Sequence, residues 1–216
     1  RLSSKIIDNI VERDFSVENT FLVNRIQENC QNLKKDNHIN TIKGLGKSKQ
    51  AIVIGAGGHS RAVLSILSNL NTHDIFGVLD LRANRFSESI FGIPVIGSID
   101  KIEKFDNNIF DIFLAIGDNS LRRLIFEKVK KYKFSLPSLI SQYAIVDVNS
   151  VMGEGNIVCP RAFIGPASII GDNNIINTGA IIEHEVSIKD HCHFSPLSVV
   201  AGRSCVGNEG FFGANA

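Results

Sequence analysis

Twelve positions spaced by six residues, Val146, Met152, Val158, Ile164, Ile170, Ile176, Ile182, Ile188, Phe194, Val200, Val206 and Phe212, are all apolar, and no insertion breaks the count. A strand alternates every two residues and a helix every 3.6, so a period of six over this length fits neither template. It describes a solenoid whose coils carry three short faces, so residues eighteen apart stack on one another. Two residues before each ruler position runs a second, mostly small track (Ala144, Ser150, Asn156, Ala162, Ser168, Asn174, Ala180), which reads as a series of tight corners. Gly153, Gly165, Gly171, Gly207 and Gly213 follow ruler residues, where the chain is expected to turn away from a short strand. The period alone says "stacked coils", which serve equally as a scaffold, an ice-binding surface or an enzyme.

The residues outside the pattern carry the functional information. The 216 residues hold 23 Lys and Arg against 22 Asp and Glu, a net charge of +1 that gives no electrostatic reason to expect nucleic acid or an anionic membrane. The longest apolar runs are of strand length, far below the ~20 residues of a membrane span. Cys30, Cys159, Cys192 and Cys205 show no CxxC pairing, which disfavours zinc ribbons and a disulfide framework and makes a reducing cytoplasm the expected location. The start at Arg1 and the stop at Ala216, close to a repeat corner and without a capping element, read as those of a fragment truncated at its C-terminal end.

Three segments are expected. Residues 1–49 form a polar leader with one or two amphipathic helices on Ile6, Ile7, Ile10, Val11, Phe21, Leu22, Ile26 and Leu33, with Lys43 to Gln50 as a linker. Residues 50–136 form an α/β module and residues 137–216 the solenoid. In the α/β module Ala51 to Ile54 is a buried strand, Gly55-Ala56-Gly57-Gly58-His59-Ser60 a glycine-rich turn, and Arg61 to Leu70 a helix. Glycines let backbone amides approach an anion, and the helix N-terminus supplies partial positive charge, so this unit suits a phosphate. The next strand, Ile75 to Leu79, ends in Asp80, about where a carboxylate meets ribose hydroxyls in such units. Ser60 replaces the third glycine of the dinucleotide fingerprint, and fewer than ninety residues accommodate one mononucleotide half, so a single nucleotide diphosphate suits the module better than NAD. A turn that merely joins strand to helix remains the plain alternative.

Within the solenoid, His184 sits beside Glu185. A neutral imidazole can remove a proton near pH 7, and an adjacent carboxylate can orient it and stabilise the imidazolium. Eighteen residues on lies Gly202, where a bare backbone N–H can meet an oxyanion. An exposed surface pair is the competing reading. His191 and His193 lie nearby, but the three histidines fall in different phases of the six-residue repeat, which disfavours a metal site between coils.

Together, Gly55-Ala56-Gly57-Gly58-His59, Gly77 to Asp80, Gly92 to Gly97, Ile116-Gly117-Asp118-Asn119 with Arg122, Ile176-Asn177-Thr178 and His184-Glu185 resemble the bacterial hexapeptide-repeat sugar acetyltransferases. That family includes sialic acid O-acetyltransferases and nucleotide-sugar 4-amino N-acetyltransferases. The resemblance runs from about residue 50 to the end. It implies a Rossmann-like half domain that holds a UDP-sugar, followed by a left-handed parallel β-helix that forms a homotrimer and binds acetyl-CoA between subunits, with no metal. By the same resemblance His184 is the general base and Glu185 its partner, Gly202 offers its amide to the thioester oxygen, and His193 and Asn177 are further active-site groups, His193 on the CoA side. Gly55, Gly57, Gly58, His59 and Asp80 then line the sugar-nucleotide pocket. Members acting on nucleotide sugars often carry paired acids after the second strand, whereas here Asp80 is followed by Leu81 and Arg82. Acetylation of a nucleotide-linked 4-amino sugar for surface-glycan synthesis is the leading expectation, with sialic acid O-acetylation and a non-catalytic nucleotide-sugar-binding scaffold as alternatives.

Overall fold

A computed structural model describes residues 49–82 and 88–216. The amphipathic leader helices expected within residues 1–48 lie outside the described residues. Lys49 and Gln50, read from sequence as linker, open the first strand: β1 spans Lys49–Ile54 and pairs in parallel with β2 (His73–Asp80) from Lys49 opposite His73 onward. A lysine can begin a buried strand here because its ammonium ends on Asp111, 3.0 Å away.

Helix α1 (Gly58–Leu70) links β1 to β2, and β3 (Ser89–Ile90) and β4 (Ile93–Ser98) form a short antiparallel pair. A 3-10 helix (Ile99–Lys104), β5 (Phe110–Leu114) and α2 (Asn119–Lys131) complete the module. The strand order β3-β4-β2-β1-β5 makes a mostly parallel sheet covered on both faces. That burial explains why Ala51 to Ile54 and Ile112 to Leu114 read as unbroken apolar runs. One face packs against α1 and the other against α2 and the 3-10 helix.

The remainder is the left-handed parallel β-helix of the hexapeptide type. One face stacks Ile145–Val146, Phe163–Ile164, Ile181–Ile182 and Val199–Val200 in register. A second stacks Val151–Met152, Ile169–Ile170, Ser187–Ile188 and Cys205–Val206. The third stacks Leu139–Ile140, Ile157–Val158, Ile175–Ile176, His193–Phe194 and Phe211–Phe212. Every pairing offset is eighteen residues, and the ruler from Val158 to Val200 points inward to form the coil core. The ruler also extends one step earlier than the apolar count suggested, to Ile140.

The corners differ from the sequence expectation. The small track is not the corner; Ala162, Ser168, Asn174 and Ala180 are buried inside the coil beside the ruler residues. The turn is made one residue earlier, by a left-handed residue every six positions: Arg161, Ala167, Asn173, Glu185, His191, Leu197, Arg203, Glu209 and Asn215, with Gly155 and Gly179 in the same series. A side chain in this region costs roughly 1–2 kcal/mol. Stacking offsets the strain, because the N–H at this position donates to the coil below, as Glu185 does to Pro166 O at 2.9 Å and Arg203 to His184 O at 3.0 Å. Glycines after ruler residues have another cause. A Cβ on Gly165 would lie 2.8 Å from His184 N and 2.9 Å from Glu183 C, so glycine answers the closeness of the next coil rather than a turn. Gly165→Val is expected to lower unfolding stability by about 3 kcal/mol, measured by urea denaturation, because the obstructing atoms are backbone and cannot swing away.

The three outer faces have different fates. The third packs on the sheet module, where Leu139, Ile157 and Ile175 join the core beneath α1. The first carries an outward ladder of Ile145, Phe163, Ile181 and Val199, with Ile145 63% and Val199 49% exposed. Among the described residues no helix is long and apolar enough to cross a membrane.

Candidate active site

Strand β1 lies between β2 and β5, and the chain passes to β2 on one side and later to β5 on the other. Parallel sheets of this kind take ligands at the carboxyl ends of the strands, at such a switch point. The glycine turn sits there. Gly55 has φ of 109°, and a Cβ would lie 2.8 Å from Ala115 O, so glycine is required by the fold. Gly57, the N-cap of α1, and Gly58 differ: a Cβ on either would meet nothing within 4 Å. Their small size leaves space open at the helix N-terminus instead of relieving a clash.

Asp80 closes this turn from β2. Its Oδ2 accepts from Ala56 N at 2.6 Å, and its Oδ1 accepts from Arg82 N at 2.8 Å and Nε at 3.2 Å. Burial works against the charge, but the two N–H groups and the Arg82 guanidinium hold the carboxyl below its usual range. Asp80 therefore organises the turn, a task the sequence reading did not assign it.

His59, in the first turn of α1, faces the β-helix. Its ring centroid is 6.4 Å from that of His193, and its Nε2 is buried with no protein partner. Burial first, then the proximity of His193 and of the Arg122 guanidinium, push its pKa to about 4, so the ring is neutral near pH 7. His193 Nδ1 donates to Gly117 O at 3.1 Å, and Asn177 Nδ2 is 3.3 Å from His193 Nε2. The glycine turn, the loop after β5 and the third coil face thus meet in one crevice.

Arg122 holds that meeting point together. It is 1% exposed, although it belongs to an amphipathic helix. Its Nε donates to Asn173 O at 3.1 Å, Nη1 to Ile116 O at 3.1 Å and Gly117 O at 3.2 Å, and Nη2 to His191 O at 2.8 Å, Cys192 O at 3.0 Å and Asn119 Oδ1 at 2.9 Å. Burial pushes the guanidinium down to about 10, against the pull of Cys192, Asp118 and Glu209, so it remains charged near neutrality.

His184 belongs to a second cluster, at the corner after Ile181–Ile182. Its Nδ1 is 3.1 Å from Glu185 Oε2, and the same oxygen accepts from Arg203 Nε at 2.9 Å. The Arg203 hydrogen bond first, then that of His184, hold the Glu185 carboxyl below the usual range. With Nδ1–H directed to the carboxylate, Nε2 is the basic atom. Gly202 lies one coil above, as the Ile181–Val199 and Ile182–Val200 pairing requires. A Cβ on Gly202 would fall 2.6 Å from His184 Nε2 and 2.7 Å from Cε1, so only glycine leaves the imidazole its place.

The sequence candidates therefore fall into two groups. His59 with its glycine turn and Asp80 gathers with His193 and Asn177, while His184, Glu185 and Gly202 form the other group, and no contact among the described residues links the two within one protomer. Three members of this machinery had no role assigned from sequence, although Gly117 and Arg122 stood among the motifs that carry the resemblance. Arg203 was legible by arithmetic, since it lies eighteen residues after Glu185 with opposite charge. Arg122 occupies the first position of a buried stripe completed by Ile125, Phe126 and Val129, where a cation signals an internal acceptor set. Gly117 acts through its carbonyl and left no side-chain signal.

Residues 50–129 match the PglD N-terminal domain family. UDP-N-acetylbacillosamine N-acetyltransferase of Bacillus subtilis (strain 168) is 29% identical over 113 residues, which is 51% of this chain and 51% of that protein, so the chain spans about half the length of that curated relative. Among solved structures, a histidine-to-asparagine variant of perosamine N-acetyltransferase from Caulobacter crescentus, in complex with CoA and GDP-perosamine, is 32% identical. It superposes with a TM-score of 0.70 over 75% of this chain and 76% of that one. The chain belongs to the bacterial hexapeptide-repeat sugar acetyltransferase family. Another family member, the acetyltransferase domain of PglB from Neisseria gonorrhoeae in complex with acetyl coenzyme A, is also 32% identical, with a TM-score of 0.72 over 78% of this chain and 80% of that one.

Proposed function

We propose that this chain transfers the acetyl group of acetyl-CoA to the 4-amino group of a nucleotide-activated amino sugar. The observation that carries the reading is the stack of His184 over Gly202, with Glu185 and Arg203 behind the imidazole. Relatives solved with CoA and GDP-perosamine, or with acetyl coenzyme A, support the two substrate classes. In the reaction His184 Nε2 takes a proton as the amine nitrogen attacks the thioester carbonyl carbon. The Gly202 N–H stabilises the oxyanion; then the C–S bond breaks, and the proton held by His184 passes to the departing sulfur. Glu185 stabilises the imidazolium in between.

The nucleotide diphosphate sits at the α1 N-terminus, in the space that Gly57 and Gly58 leave open. The active form is a homotrimer. The outward ladder of Ile145, Phe163, Ile181 and Val199 supports this, being the apolar coil face that the sheet module leaves uncovered. Contact between protomers is the route by which the His184 cluster of one copy meets the sugar crevice of another. Nucleotide sugars and acetyl-CoA as substrates fit a cytoplasmic step in surface-glycan synthesis.

The test is thiol release from acetyl-CoA across a panel of UDP- and GDP-linked 4-amino sugars, with sialic acids as controls. Release with none of the amino sugars overturns the reading. A substitution separates the two sites. Gly57→Leu should fold normally, since its Cβ meets nothing, yet lose nucleotide-sugar affinity by ~30-fold, the equivalent of about 2 kcal/mol of obstruction. Acetyl-CoA affinity, measured by calorimetry, should stay within about twofold, because the sheet module alone meets the nucleotide. Equal loss of both ligands would mean that the turn only supports the fold.

A further inference from the structure

His193 has both ring nitrogens engaged, and the partners dictate its protonation state. Nδ1 lies 3.1 Å from Gly117 O, and a carbonyl can only accept, so Nδ1 carries a hydrogen. Nε2 lies 3.3 Å from Asn177 Nδ2. An amide is ordinarily free to present either end, but Asn177 is fixed: its Oδ1 accepts from Thr178 N at 2.8 Å, so the amide must turn its NH₂ group toward His193. A donor facing Nε2 requires a lone pair there. The ring is therefore neutral, with its hydrogen on Nδ1.

The framework that imposes this is rigid at both ends. Arg122 Nη1 donates to Gly117 O, the same oxygen that receives His193 Nδ1, and Nη2 donates to His191 O and Cys192 O on the segment leading into His193. One guanidinium thus fixes the acceptor and the strand that carries the donor. Burial, together with the Arg122 charge, lowers the His193 pKa against the pull of the Gly117 carbonyl, in the same direction as the hydrogen bonds require.

We infer that Asn177 and Gly117 are positioning residues that hold His193 as a neutral, Nε2-accepting imidazole, so that the ligand group it binds is a hydrogen donor, an N–H or O–H, and not an oxyanion. This divides the labour between the two clusters. Gly202 offers a donor to developing negative charge, whereas His193 offers an acceptor to an amide N–H of the CoA arm or to a sugar hydroxyl. The weak 3.3 Å contact from Asn177 leaves the lone pair available for that exchange. The ligand assignment rests on the acetyltransferase reading; the protonation state does not.

Long-range ¹H–¹⁵N spectra of the histidine rings of the full chain, with His193 assigned by substitution, test the protonation state without turnover. The wild type should show the Nδ1–H tautomer near pH 7, and an Nε2–H tautomer or an imidazolium overturns the inference. Asn177→Asp is nearly isosteric and places a carboxylate oxygen against Nε2; it should convert His193 to the imidazolium. In steady-state assays with acetyl-CoA and the accepted amino-sugar nucleotide, that variant should raise the KM of one substrate about tenfold, with kcat changed less, because an acceptor has become a donor. Both KM values within twofold of wild type, with the imidazolium confirmed, overturn the ligand assignment. Should Asn177→Asp fail to fold, the wild-type spectrum still decides the protonation state, and titration of that spectrum with CoA and with the amino-sugar nucleotide decides the contact. Movement of the Nε2 resonance with either ligand supports it; no movement with both overturns it.

Discussion

His184→Ala is expected to lower kcat by ~10²- to 10⁴-fold with little change in the affinity for either substrate, because a general base acts chiefly in the transition state. Stopped-time thiol-release assays at saturating substrate give kcat, and calorimetry gives affinity. The variant should fold, since His184 sits at an exposed corner and its side chain supports no core contact. Glu185→Gln should cost less, on the order of tenfold, because the imidazole keeps a hydrogen-bond partner and loses only the charge. Arg203 supplies an independent check. With Arg203→Ala the Glu185 carboxyl should titrate at higher pH than in wild type, since the Arg203 hydrogen bond is the foremost cause of its lowered value. Near-full activity of His184→Ala at saturation would sink the proposed chemistry while leaving the family assignment intact.

The largest expected loss of stability is from Arg122→Met. The substitution leaves Asn173 O, Ile116 O and His191 O without the donor that now meets them, and takes one of two donors from Gly117 O and Cys192 O, which keep His193 Nδ1 and Ile175 N, around a guanidinium that is 1% exposed. Each orphaned buried acceptor costs about 1–3 kcal/mol, and relaxation will rescue some of them, so a net loss of about 4 kcal/mol is expected. That corresponds to a fall in Tm of ~10 °C for a chain of this size. Urea denaturation followed by far-ultraviolet circular dichroism measures it. The sheet and the coils should also lose cooperativity, because Arg122 bridges α2 to two successive coils. The flanking contacts, Asn119 Nδ2 to Glu209 O and Gly210 O and Arg123 Nη1 to Glu209 Oε1, are more exposed and should not compensate. A loss below about 1 kcal/mol would mean that the carbonyls find other partners and that Arg122 is not the bridge.

The coil was legible because its cause is local and repeated. Each hexad buries one ruler residue, and stacking follows from counting, so Ile181 opposite Val199 and Gly202 above His184 could be placed by arithmetic. The same arithmetic would have found Arg203 over Glu185. The glycine turn was legible too, but not what each glycine does. Gly55 answers a steric need from Ala115, whereas Gly57 and Gly58 leave space open, and composition cannot tell these apart. The corners were misplaced by one residue because small side chains suggest turns, while here they fill the narrow coil and the strained left-handed residue has no fixed identity, being Arg, Ala, Asn, Glu, His or Leu in turn.

By itself the sequence determined the period, hence the β-helix, and the order of a nucleotide-type half domain followed by coils. It also determined the His184–Glu185 pair, because neighbours in sequence stay neighbours in space. Only the tertiary structure decided how the two modules meet. Gly117 and His193 are 76 residues apart, and Arg122 reaches carbonyls as far as 70 residues away. Those bonds run to backbone oxygens, which every residue type possesses, so even where Arg122 in an apolar stripe signals buried acceptors no side-chain pattern says which oxygens they are. The protonation of His193, the neutrality of His59 and the engagement of Asp80 within its own turn all depend on burial and on partners supplied by the other module or by distant strands, and none of these is a property of the local chain.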